Sequence, residues 1–232
     1  MIVVLGAMET EIREFLTHME NRQTFDWHGF SHHRGTIDGH DVLVSRSGVG
    51  KVKAAMMTQH LIDDYHPQAI LFTGLAGALR GHIEIGDTLV ARDLVQHDMD
   101  VSALGFPRGQ IPFTEWRFLP ADPRLLALAS DYVPASGRLH IGRICTGDQF
   151  ISHREFASHA YLTGELAGDG AEMEGASVAL VCHVNRVPCL VARTISDKAD
   201  GSAAVNFEEF LPRASCNSLD FVRYMLARMT EC

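Results

Sequence analysis

Ala171-Glu172-Met173-Glu174-Gly175-Ala176-Ser177-Val178-Ala179-Leu180-Val181-Cys182, followed shortly by Pro188-Cys189-Leu190-Val191-Ala192-Arg193-Thr194-Ile195-Ser196-Asp197, decides how this chain folds and where its chemistry lies. The first piece sets two carboxylates, Glu172 and Glu174, ahead of a small-residue apolar helix. The second is an apolar run of strand length that holds one arginine and closes on an aspartate. A charge inside a buried strand is costly unless paired, so Arg193 requires a carboxylate partner, and Glu172 and Glu174 are the nearest candidates. With a side-chain period of two, Arg193, Ile195 and Asp197 share one face, and Asp197 emerges at the strand's C-terminal end, where open α/β sheets bind ligands.

Outward from this stretch, the chain has 232 residues, 46% of them apolar, enough for one large α/β domain spanning residues 1–232. Twenty-nine acidic against 20 basic residues give a formal net charge of -9, which argues against binding a phosphate backbone and for action on small molecules. Nucleic acid is not an expected partner. Glu9 and Glu11 interrupt the N-terminus before the long apolar core of a signal peptide forms, and no stretch approaches the roughly 18 apolar residues of a membrane span, so a cytoplasmic protein without membrane contact is expected. The five cysteines show no C-x-x-C spacing, and three lie in apolar runs as buried free thiols.

In chain order, Ile2 to Leu5 reads as a central strand, and Glu9 to Met19 as a helix with Ile12, Phe15, Leu16 and Met19 on one side. Glu9 and Glu11 fall in its first turn, where the macrodipole favours negative charge. Phe30 to Ile37, Asp38-Gly39 and Asp41 to Ser45 form a hairpin signal. Ser47-Gly48-Val49-Gly50-Lys51 opens a helix to Tyr65. It only superficially resembles a phosphate loop, because Ser45 and Val52 occupy positions that need glycine and a hydroxyl residue. Ala69 to Thr73, Thr88 to Val95 and Leu139 to Cys145 read as further strands. Helices are expected at Asp122 to Val133, Arg154 to Leu162 and from Phe207 onward, and Leu104 to Phe118 reads as a long functional loop. His97-Asp98-Met99-Asp100 has metal-ligand residue types, but one imidazole and no distant partner pattern argue against a metal.

Strand after strand ends in a glycine-rich or acidic signature, which implies one cleft along a sheet edge, lined by acids, one arginine and an aromatic. Such a set suits cleavage of a glycosidic-type bond through an oxocarbenium-like transition state, one acid protonating the leaving group and another activating water. On the residues alone, other acid–base chemistries stay open.

Gly6-Ala7-Met8-Glu9-Thr10-Glu11, Ser47-Gly48-Val49-Gly50-Lys51-Val52, Thr73-Gly74-Leu75-Ala76-Gly77, Gly147-Asp148-Gln149-Phe150-Ile151, Glu172-Met173-Glu174-Gly175-Ala176, Ile195-Ser196-Asp197 and Phe207-Glu208-Glu209-Phe210-Leu211 together resemble the 5'-methylthioadenosine/S-adenosylhomocysteine nucleosidases of the nucleoside phosphorylase superfamily. The resemblance runs from Met1 to Met229 in the family's order. It implies a three-layer α/β/α domain with a central mixed twisted sheet, an N-glycosidase without cofactor or metal, and an adenine nucleoside and water as partners. It also implies roles. Asp197 is the general acid at adenine N7, Glu11 activates water, and Glu174 binds the ribose hydroxyls beside Met173, with Arg193, Ser196 and Glu172 in support. Phe150 stacks on adenine, the Ile151 backbone reads its edge, and Gly77 lies close. Met8, Val49 and Phe207 line the 5'-alkylthio pocket, completed by the Leu104 to Pro112 loop of the second subunit of a homodimer.

Two acids at the end of the first strand would repel a phosphate dianion, which favours water as nucleophile over phosphorolysis. A phosphate-dependent purine nucleoside phosphorylase and a non-catalytic nucleoside sensor are the alternatives. Leu75 stands where many relatives have serine, and Leu104 where an aromatic is frequent. The Leu94 to Ala103 and Glu174 to Ala179 segments are most similar to a subgroup that also cleaves 6-amino-6-deoxyfutalosine in menaquinone synthesis.

Overall fold

The computed structural model describes residues 1–151, 157–198 and 203–229, leaving aside the side chains of 157, 203–209 and 211. Its centre is a set of parallel strands buried on both faces: β1 (Ile2–Gly6), β4 (His40–Arg46), β5 (Ala69–Phe72) and β11 (Cys189–Lys198). Strands of this kind read as continuous apolar runs because each face feeds a different layer. Val3, Leu5, Leu43, Ile70, Phe72 and Val191 pack with Ala54, Met57 and Leu61 of α2 (Lys51–Tyr65) and with Ala176, Val178 and Cys182 of α4 (Gly175–Asn185). Their neighbours Ile2, Val4, Val42, Val44, Leu71 and Leu190 pack the other way. They meet Ile12 and Phe15 of α1 (Glu9–His18), Leu125 and Ala129 of α3 (Pro123–Ser130), and Leu219, Val222 and Met225 of α5 (Ala203–Met229). Helices therefore cover both faces of a mixed sheet, the expected three-layer arrangement.

Local signals produce the local structure they predict. Asp38 and Gly39 take φ of 49° and 80°, the positive pair of a two-residue hairpin turn, joining β3 (Phe30–Ile37) to β4 in antiparallel register. His66 ends α2 in the left-handed region, its N–H donating to the Ile62 carbonyl, just before Pro67. Asp122 caps α3 by accepting from the Arg124 and Leu125 N–H groups, with Pro123 as first helical residue.

The sheet departs from expectation at its far half. Instead of one open edge, β11 pairs with β6 (Leu75–Ala78), β6 with β10 (Gly170–Glu172), β10 with β9 (Leu139–Thr146), β9 with β7 (Thr88–Gln96), and β7 back with β11, closing a five-strand ring. The ring closes because β11 spans ten residues and pairs on its two sides with strands of opposite sense. Further differences are smaller. Glu20–Trp27 forms an edge strand, β2, and Leu119–Pro120 a short β8. Of the helix expected at Arg154 to Leu162, residues 152–156 lie outside the described ones, and Ala157–Leu162 is a 3-10 turn bent at His159. The last helix starts at Ala203 and carries Pro212 inside it. The Leu104 to Phe118 segment, past a 3-10 turn at Ser102–Leu104, holds neither helix nor strand, as expected of a loop. Cys145, Cys182 and Cys189 are buried free thiols, and no helix among the described residues is long and apolar enough to cross a membrane.

Candidate active site

The strand ends and helix starts on one side of the sheet converge on a cleft of about 260 Å³. Glu11, in the first turn of α1, is buried in its wall. Its Oε2 accepts from the N–H groups of Ala7 (2.6 Å) and Met8 (2.9 Å), and its Oε1 from that of Leu75 (3.1 Å). Glu11 is therefore at once an acid in the first turn of α1 and part of the cleft wall. Burial pushes its pKa above the ordinary carboxylate value, against the pull of the Arg193 charge and the three N–H donors. Close approach of β6 is what lets Leu75 reach it. Gly74, at φ +153°, has no room for a side chain, because a Cβ there would stand 2.7 Å from Glu11 Oε1.

Arg193, 2% exposed, finds the partner its charge demands in Glu172, with Nη2 2.7 Å from Oε2. Nη1 reaches the carbonyls of Phe72 (3.3 Å) and Ala192 (3.4 Å), and the guanidinium sits 4.1 Å from the Phe72 ring centroid. Glu172 also accepts from the Gly175 N–H (2.7 Å), the Glu174 N–H (3.1 Å) and the Thr146 hydroxyl. It is thus held on all sides and caps α4 while it neutralises the arginine. Glu174 is different: Oε1 accepts one bond, from the Gly50 N–H at 2.8 Å. Burial and the adjacent Glu172 drive its pKa well above the ordinary value, outweighing Arg193 and the Gly50 donor.

At the end of β11 the expected alternation breaks. The register against β6 shifts between Ile195 and Asp197, leaving Ser196 as a bulge. Ile195 stays in the core while Ser196 and Asp197 both line the cleft, and the Ser196 hydroxyl donates to Asp197 Oδ1 at 2.7 Å. Gly77 lies opposite, and a Cβ there would meet Asp197 Oδ2 at 2.9 Å.

Met8, Glu11, Val49, Gly77, Phe150, Ile151, Glu172, Met173, Glu174, Ser196 and Asp197 all line this one cleft. Arg193 does not line it: its side chain lies behind the wall, turned to Glu172 and Phe72. Leu104 and Pro112 are also absent from the lining, and Leu104 is exposed. Phe207 sits on the α5 backbone, and its side chain lies outside the described residues. Leu75, noted above where many relatives have serine, lines the cleft, and Ala7, Ala76, Gln149 and Ala171 line it without having been singled out. All five sit inside or beside the glycine-rich and acidic strand ends, which is the signal that marked their neighbours. Among the described residues, no lysine or arginine lines the cleft. His97 bonds Tyr161, Asp98 pairs with Lys51 and Asp100 with Arg108, and among the described residues no group of three or more His, Cys, Asp or Glu is arranged to hold a metal.

The sequence matches the Phosphorylase superfamily over residues 1–227. The 5'-methylthioadenosine/S-adenosylhomocysteine nucleosidase of Chromohalobacter salexigens is 34% identical over 98% of this chain and 97% of its own. The aminodeoxyfutalosine nucleosidase of Campylobacter jejuni is 36% identical over 98% and 99%. Among solved structures, the native futalosine hydrolase of Helicobacter pylori has a TM-score of 0.90 at 36% identity, covering 98% of this chain and 97% of that one. Fold and cleft therefore define a member of the phosphorylase superfamily. Within it the chain belongs to the 5'-methylthioadenosine/S-adenosylhomocysteine nucleosidase family, hydrolases of N-glycosidic bonds in adenosine-type nucleosides.

Proposed function

We propose that this enzyme hydrolyses 5'-substituted adenosines, 5'-methylthioadenosine and S-adenosylhomocysteine among them, and releases adenine. The reading is carried by one observation: Glu11, Glu174 and Asp197 line a single cleft with the Phe150 ring, and among the described residues no lysine or arginine lines it. Asp197 delivers a proton to adenine N7 as the C1'–N9 bond breaks. A water attacks C1' on the oxocarbenium-like sugar and gives up its proton to Glu11, whose raised pKa suits a base. Glu174 accepts from the ribose 2'- and 3'-hydroxyls beside Met173, and Phe150 stacks on adenine while the Ile151 backbone reads its edge. Arg193 and Glu172 act from behind the wall by fixing each other and the start of α4, and Ser196 fixes Asp197. Met8 and Val49, both in the cleft lining, flank the 5' substituent.

A phosphate dianion would meet four carboxylates here, with Arg193 behind the wall already neutralised by Glu172, which supports water as nucleophile. The apolar side chains of Val52, Met56, Leu104 and Phe113 are exposed, which supports a homodimer in which the Leu104 to Pro112 loop completes the neighbour's 5' pocket. Similarity to the Campylobacter aminodeoxyfutalosine nucleosidase supports 6-amino-6-deoxyfutalosine as a further substrate. The test is adenine release from all three nucleosides with and without phosphate. Phosphate-independent release is expected. A phosphate requirement would replace hydrolysis by phosphorolysis, and binding without release would leave a sensor.

A further inference from the structure

His97-Asp98-Met99-Asp100 and Ser47-Gly48-Val49-Gly50-Lys51 are motifs that the chemistry above leaves largely unused, and they meet at the N-terminus of α2. Asp98 Oδ1 accepts from Lys51 Nζ at 2.6 Å, and Asp98 Oδ2 accepts from the Asp148 N–H at 3.0 Å. Asp148 Oδ1 in turn accepts from the Lys51 N–H at 2.8 Å, closing a cycle. One position earlier, the Gly50 N–H donates to Glu174. Gly50 is the N-cap of α2 and has no side chain to satisfy the first free N–H groups, so two carboxylates from other elements do so. The Lys51 and Asp98 side chains are only 17% and 24% exposed, so solvent and salt screen their attraction less than that of a surface pair.

We propose that Asp98 and Lys51 are positioning residues of the active site, their ion pair locking Asp148 and the start of α2 in the place from which the Gly50 N–H holds the Glu174 carboxylate. The assignment rests on the reading of Glu174 as the ribose ligand. Without the cycle, the start of α2 is tied to the end of β9 by nothing else in this set of bonds, and the Gly50 donor drifts from Glu174.

Glu174 faces Glu172 from β10, Glu11 from α1, Arg193 from β11 and the Gly50 donor from α2. The two glutamates and burial disfavour its charge, while Arg193 and Gly50 favour it. Weakening the Gly50 bond therefore raises the pH at which Glu174 ionises, and the ionised form, which grips the hydroxyls, is lost at higher pH. Asp98 itself is pushed up by burial, but the Lys51 hydrogen bond and charge and the Asp148 N–H outweigh this and hold it below the usual carboxylate range, so it stays charged throughout.

The test compares wild type with Asp98→Asn, Lys51→Met and the double variant, by two readouts. One is kcat and KM for 5'-methylthioadenosine against pH. The other is the pH titration of the Gly50 amide in a nitrogen-15 NMR spectrum, which reports Glu174 ionisation without turnover. Each single variant is expected to raise KM about tenfold with a smaller change in kcat, as for loss of a hydrogen bond to a charged group. Each is also expected to move both the acidic limb of kcat/KM and the Gly50 midpoint to higher pH. The double variant should be no worse than the poorer single one, and Asp98→Glu should recover part of the loss. Unmoved Gly50 midpoints, or single losses that multiply in the double variant, would overturn the proposal. Failure of wild type to release adenine would overturn the activity reading instead, and the Gly50 titration would still decide the role of the pair.

Discussion

Glu172 is the side chain whose loss should cost the fold most. Its carboxylate takes four donors: the Arg193 guanidinium, the Glu174 and Gly175 N–H groups, and the Thr146 hydroxyl. Glu172→Ala strands the guanidinium, whose remaining contacts are two carbonyls and the Phe72 ring. Breaking a buried pair from one side costs about 3–5 kcal/mol, and losing the cap of α4 adds about 1 kcal/mol. That is a large share of the roughly 5–15 kcal/mol that holds a domain together, so Glu172→Gln is the more useful variant. Its amide offers one acceptor and one NH2 group, and either orientation sets a donor against Arg193 or against the start of α4. We expect a loss of about 2–4 kcal/mol, the cost of one unsatisfied donor contact plus the missing charge. Urea unfolding, with an unchanged dependence on denaturant, measures it. Pairing Glu172→Gln with Arg193→Met removes the stranded charge, so the double variant should lose clearly less than the sum of the singles. An Ala variant that loses under about 1 kcal/mol, or strict additivity, would refute the pairing as the reason both residues are there.

Two other outcomes follow from the same geometry. Gly77→Ala places a Cβ where Asp197 Oδ2 now lies, and Asp197 is buried and tied to Ser196, so its carboxylate must shift; kcat/KM should fall about 100-fold with the thermal midpoint nearly kept. An unchanged kcat/KM would show that the position of Asp197 does not matter. His97 is held neutral by burial, its pKa lowered to about 4 from 6.5. The unfolded chain thus takes up this proton first as pH falls, and the stability present above pH 6.5 is lost progressively down to about 4, by at most about 3 kcal/mol. Because His32 and Glu174 also titrate differently on folding, the test is the difference in unfolding free energy between wild type and His97→Asn, which should shift against wild type from pH 7 to 4.5; a difference independent of pH would count against buried neutral His97.

Much of this was legible because burial on both faces writes itself as apolar runs: Ile2 to Leu5, Ala69 to Phe72 and Cys189 to Ile195 each supply two layers at once. The hairpin and the α3 cap were legible because Asp38-Gly39 and Asp122-Pro123 carry their own backbone preferences. Strand β2 was not, since all of Glu20–Trp27 but its last residue is exposed and so shows no apolar alternation. Nor was β6, whose four residues follow Gly74 directly and read as the tail of the preceding strand. Ring closure depends on pairing across long separations, which no local pattern encodes. In the site, acids and glycines at strand ends announced themselves, whereas Ala7, Ala76 and Ala171 contribute little but backbone and space. Arg193 was correctly tied to a carboxylate, but which side of the wall it occupies depends on the Phe72 ring and on Glu172, both set by tertiary packing.

The most direct test of the central claim is single-turnover adenine release from 5'-methylthioadenosine without phosphate, comparing wild type with Asp197→Asn and Glu11→Gln, alongside nucleoside binding by each. The account predicts release by wild type and a fall of about 100-fold or more in both variants, with binding largely kept, as for removal of a general acid or base. Near wild-type release by either variant would contradict the role given to that carboxylate and, for Asp197, the mechanism itself.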